Sequence, residues 1–113
     1  MRVHDLATDE VFTGETATAP ADAIVVFDAT FLQRGTLREH WDVVVLLDAD
    51  LTVATERGVA RDRDALGGEE AARAAYDSRY AAACAIYLAE ESPTERADIV
   101  VQHDDPARPR TVR

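Results

Sequence analysis

Two apolar runs, each closed by an aspartate, constrain this chain most: Ala23-Ile-Val-Val-Phe-Asp28 and Val43-Val-Val-Leu-Leu-Asp48. Neither run alternates apolar with polar residues. A strand with one wet face alternates, so continuous runs predict strands covered on both faces. A shorter run over 98–101 predicts a third strand. The 113 residues are enough for one domain, spanning 1–113. The 47% hydrophobic content supports a core, although a chain this short buries a modest share of its surface.

Helical patterns lie between the runs. Thr36 is placed to cap a short helix, with Glu39 three residues on completing a capping box. Asp50 is placed to cap a helix over 51–62 with Leu51 and Ala54 facing inward. After Gly67-Gly68, a long helix is expected over 69–90. Its stripe is Ala72, Tyr76, Tyr80, Ala83 and Tyr87, and Pro93 follows its end. Residues 1–22 read as irregular, and the tail 103–113 reads as surface loop. Strands alternating with helices predict βαβ units, hence an α/β fold with a parallel sheet.

Charge narrows the partners. The net charge is -10, from 22 acids and 12 bases, and every base is arginine. Residues 1–56 carry 11 acids against 3 bases, a local balance of -8. So acidic a chain is a poor non-specific ligand for nucleic acid or an anionic membrane. Acidic excess without lysine fits a GC-rich genome and a high-salt cytoplasm. No apolar stretch approaches the ~18–20 residues of a membrane span, and the N-terminus lacks a signal peptide's apolar region. A cytoplasmic location is therefore expected. The single cysteine, Cys84, lies among alanines and reads as a small buried hydrophobe. His4, His40 and His103 have no metal-ligand spacing.

The order of short motifs carries more information than any one of them. Phe27-Asp28-Ala29-Thr30-Phe31-Leu32-Gln33-Arg34 is followed by Trp41-Asp42, and then by Arg57 to Asp62. Tyr76-Asp-Ser-Arg-Tyr80 comes next with Tyr87, then Ala97-Asp98-Ile99-Val100-Val101. In this order and spacing, residues 23–110 resemble the C-terminal portion of the uridine kinase family. These are P-loop nucleoside kinases allied to phosphoribulokinase and pantothenate kinase. His4-Asp-Leu-Ala-Thr-Asp9 is similar to the segment with which uridine kinases contact the nucleoside. Asp5 and Thr8 match that segment, while His4 stands for its tyrosine. Yet the sequence contains no G-x-x-x-x-G-K-[ST] and no lysine, the parts that cradle and reach the ATP phosphates.

The resemblance implies a partial P-loop-kinase-type parallel sheet of about three strands flanked by helices, with one or two strands absent. It implies ATP and Mg²⁺ as cofactors and a nucleoside-like small molecule with a hydroxyl as substrate. Residues 1–22 would be the acceptor-site segment and 50–90 the lid and long helix. Asp28 would hold Mg²⁺ or position substrate. His4, Asp5, Thr8 and Arg34 would serve the acceptor, and Arg57 and Arg61 would act catalytically and bind the ATP phosphates. From spacing alone, Arg57 and Arg61 share one helix face and read first as solvated partners of Glu56, Asp62 or Asp64; the resemblance puts the phosphate role level with that reading. Arg79 reads as an intramolecular partner, Arg63 as surface and Trp41 as a packing anchor. The chain alone is expected to be inactive, and to need a complementing P-loop-bearing chain. The alternative is a non-catalytic α/β module for binding or dimerisation.

Overall fold

In a computed structural model, residues 3–4, 11–12, 16 and 18–113 are described. Val45–Asp48 forms β3 and Ile99–Gln102 forms β4, and they pair in parallel with Val45 opposite Ile99. A parallel pair needs a long crossover. Here four helices and a π turn supply it: α2 (Leu51–Asp62), α3 (Glu69–Ala75), the π turn (Tyr76–Tyr80), α4 (Ala81–Glu91) and the short α5 (Pro93–Arg96). The expected helix over 69–90 is thus one helical run, interrupted by a π turn at its tyrosines. Earlier in the chain, Val3–His4 (β1) pairs antiparallel with Val11–Phe12 (β2), and Gly35–Arg38 forms α1.

The sheet is mixed rather than parallel throughout. Its order is β3-β4-β5, and β5 (Arg110–Thr111) runs antiparallel to β4. The tail expected as loop therefore supplies the third strand. The strand expected over 23–28 does not form. Ile24, Val25 and Val26 are 92%, 70% and 88% exposed. Phe27 is the run's foothold, stacked on Trp41 with ring centroids 5.8 Å apart.

One face of the sheet is covered. Val44, Ala97 and Val100 are buried together, with Trp41 and Leu46 packed against them. The opposite face is bare: Val43, Val45 and Leu47 are more than half exposed, and Ile99 is also exposed. The expectation of two covered faces fails because the helices gather on each other. Gly58 and Val59 of α2 are buried, as is Ala72 of α3, and α2 packs on α3 and the π turn. Leu51 and Ala54, expected inward, are exposed.

Candidate functional site

In open α/β sheets ligands gather beyond the carboxyl ends of parallel strands, so the residues after β3 and β4 come first. Asp50 ends the turn after β3 and caps α2, accepting from the N–H of Thr52 at 2.8 Å and of Val53 at 3.4 Å. These bonds hold its carboxyl below the usual carboxylate range. Its own N–H donates to Asp104 Oδ1 at 2.8 Å, tying the two strand ends together. Nearly two turns into α2, Arg57 donates to the carbonyl of His103 at 2.8 Å and also to that of Asp104. The arginine closes the loop after β4 rather than facing an open cleft.

Arg61 lies one turn further along and is exposed. Its guanidinium grips Asp62 through Nε at 2.7 Å and Nη2 at 2.9 Å. The Tyr76 hydroxyl donates to the same carboxylate at 2.6 Å and accepts from Arg61 at 3.3 Å. The Arg61 bond, then the Tyr76 bond, pulls the Asp62 carboxyl down to about 2. Arg61 is raised in turn, chiefly by its bond to Asp62. The trio ties the end of α2 to the π turn. Beside it, Arg73 bonds Glu56 at 2.7 and 3.0 Å.

Arg34 occupies the position before α1, in place of the expected cap Thr36, and makes no side-chain cap bond. Its side chain borders a cavity of about 190 Å³ walled by Phe31, Ala83, Ile86 and Tyr87, with Glu90 and Glu91 at the rim. Ligand pockets are typically ~300–1,000 Å³, so this one is small for a nucleoside. Behind it Gln33 is buried. Its N–H donates to the Tyr87 hydroxyl at 3.2 Å and its Nε2 to the Pro93 carbonyl at 3.0 Å.

Asp28 is exposed and follows the unpaired apolar run instead of ending a strand. The His4 backbone lies in β1, while its side chain, Asp5 and Thr8 lie outside the described residues. The structure thus brings Arg57 and Arg61 onto one helix but leaves Arg34 and Asp28 on separate surfaces. Of the pairings left open, Arg61–Asp62 forms, whereas Arg57 takes carbonyls. Arg79 forms no ion pair among the described residues, and Arg63 is exposed beside Asp64. Cys84 is half-buried, and burial raises its thiol, as suits a packing residue.

The residues present do not by themselves fit ATP·Mg²⁺. No Gly-rich cradle or lysine occurs in the sequence. Among the described residues no three His, Cys, Asp or Glu side chains converge as a metal-binding group. Asp104 and the Tyr76–Asp62 pair escape sequence reasoning. The acid two residues past β4 was the available signal for the first; the second depends on helix packing. No family model matches the chain, and no curated protein or solved structure does so either. No helix among the described residues is long and apolar enough to cross a membrane.

Proposed function

We propose that this chain is the lid-and-acceptor part of a uridine kinase-like phosphotransferase of the cytoplasm. It transfers no phosphoryl group alone and works with a P-loop-bearing polypeptide that brings the ATP and Mg²⁺ site. One observation carries the reading: the order of elements at the carboxyl end of the β3–β4 pair. An acid-ended strand leads into an arginine-bearing helix, then a tyrosine-bearing helical return, then a second parallel strand. That is the order in which the motifs of the resemblance run. In this reading His4, Asp5, Thr8 and Arg34 serve a nucleoside-like acceptor. Asp28 serves metal or substrate, and Arg57 and Arg61 face the phosphates. Phosphoryl transfer is almost entirely positioning and charge neutralisation, and a chain without the loop supplies too little of either.

A second reading is favoured by a different observation. Arg57 and Arg61 are already engaged in internal bonds, and no described residue pairs with the outer edge of β3. Such a chain fits a non-catalytic binding or dimerisation module.

Joining the chain to the P-loop-bearing segment of a uridine kinase tests the first reading. The purified 113-residue protein should move no phosphate from labelled ATP to any nucleoside, and the joined protein should. Arg61→Ala in the joined protein should then lower turnover by about 10²-fold or more. A joined protein that melts cooperatively yet transfers nothing leaves the second reading standing.

A further inference from the structure

β3 has two sides. The Val44 carbonyl accepts from the N–H of Ile99 at 3.1 Å, and the Asp48 carbonyl accepts from the N–H of His103 at 2.7 Å. Backbone direction alternates along a strand, so residues 44, 46 and 48 address β4. The N–H and C=O groups of Val45 and Leu47 therefore face the outer edge, which is open among the described residues. These two residues are 52% and 60% exposed, and Val43 is 62% exposed. An open edge with apolar side chains is a template for strand addition.

Charge selects the occupant. Asp42 precedes β3, Asp48 ends it and Asp50 follows, all exposed; Asp28 closes the exposed run over 23–28. Arg38, a nearby cation, is committed to the Trp41 and Arg96 carbonyls and to Asp98. A second copy laid antiparallel on β3 would set Asp42 against Asp48, and each copy carries -10. Like charges across a strand pair oppose pairing, whereas opposite potentials choose partners and speed encounter.

We propose that the open edge of β3 docks an extended apolar segment of a different polypeptide whose flanks are basic. The inference shares with the first functional reading only that another polypeptide completes this sheet. It does not require that polypeptide to carry a P-loop.

The probe is a peptide of alternating valine and isoleucine with two arginines at each end, against the same core flanked by glutamates. Trp41 is the single tryptophan and packs beside the start of β3, so its emission reports binding, while amide NMR shifts locate it. The arginine-flanked peptide should bind saturably, with larger shifts at the Val45 and Leu47 amides than at Leu46. It should bind at least about tenfold tighter than the glutamate-flanked one, and weaken as salt rises. Val45→Pro removes an edge donor while sparing the bonds to β4. It should abolish binding with an unchanged circular dichroism spectrum. Should Val45→Pro unfold the protein, Leu47→Arg is the substitute: it removes an apolar edge contact and repels the basic flanks, and should weaken binding at least about tenfold. Equal affinity for both peptides overturns the proposal. So does binding that survives these variants, or a concentration-dependent homodimer that occupies the edge. Peptide binding without phosphoryl transfer in the joined protein would keep this proposal and sink the kinase reading. Transfer without peptide binding would do the reverse.

Discussion

At Gly58 the absence of a side chain decides how two helices meet. A methyl there would overlap the ring of Tyr76, whose hydroxyl is held by Asp62. In a free helix Gly→Ala gains about 1 kcal/mol, but forced overlap in a packed site costs about 1–3 kcal/mol. Overlap should win, so Gly58→Ala should destabilise by about 1 kcal/mol in urea melts. The double variant with Tyr76→Ala should recover the helix-propensity gain. Asp62 makes a pH prediction at the same contact. Its carboxyl sits near 2 in the folded protein, below the ~3.9 of an unfolded aspartate. The stability it contributes is fully present above the unfolded value and is lost as pH falls through the folded one. Urea midpoints from about pH 5 to about pH 2 should fall less for Asp62→Asn than for the unaltered chain. Equal falls would mean that the trio contributes nothing to folding. The Arg61–Asp62 adjacency is plain in the sequence, but Tyr76 lies 14 residues from Asp62, and only packing brings it there.

Helix α2 begins where its cap residue says it should. Asp50 accepts two backbone N–H groups that would otherwise lack partners. Asp50→Ala should therefore lower the melting temperature and the far-ultraviolet helix signal, and Asp50→Asn, an equally good cap, should keep both. Loss with both variants would point instead to the negative charge of the Asp50 carboxylate at the start of the helix. A cap is local, so α2 was legible from a few adjacent residues. The inward face was not: Leu51 and Ala54 are exposed because Tyr76 meets the helix at Gly58 and α2 packs on α3 and the π turn. At α1 the local pattern misleads. Thr36 and Glu39 spell a capping box, yet the helix opens at Gly35 with Arg34 as its cap, two residues ahead of that pattern. Across the tyrosines the three-and-four stripe expects one register, but the π turn adds a residue and leaves Tyr80 45% exposed. Tyr87, beyond it, still reaches the interior, edge-on to Phe31 at 5.3 Å.

As a whole the molecule is open and strongly negative. Its radius of gyration is 16.2 Å, against about 13 Å for a compact domain of this length. With a net charge of -10, self-repulsion opposes folding. Its ion pairs, such as Arg73–Glu56 and Arg96–Glu91, are exposed on at least one side and individually worth little. Raising salt from about 0.1 M to about 1 M shortens the screening length from about 10 Å to about 3 Å. The melting temperature should therefore rise. A fall would mean that the surface pairs outweigh the repulsion. By itself the sequence determined the acidic surface, the α/β class, the runs at β3 and β4 and the capped start of α2. Each depends on composition or on neighbours within a turn or two. Tertiary structure alone decided that residues 23–28 stay out of the sheet and that Arg110–Thr111 enters it. The physical reason is that a strand exists only where a second backbone satisfies its hydrogen bonds. The tail finds that partner in β4, while the more apolar run finds none among the described residues.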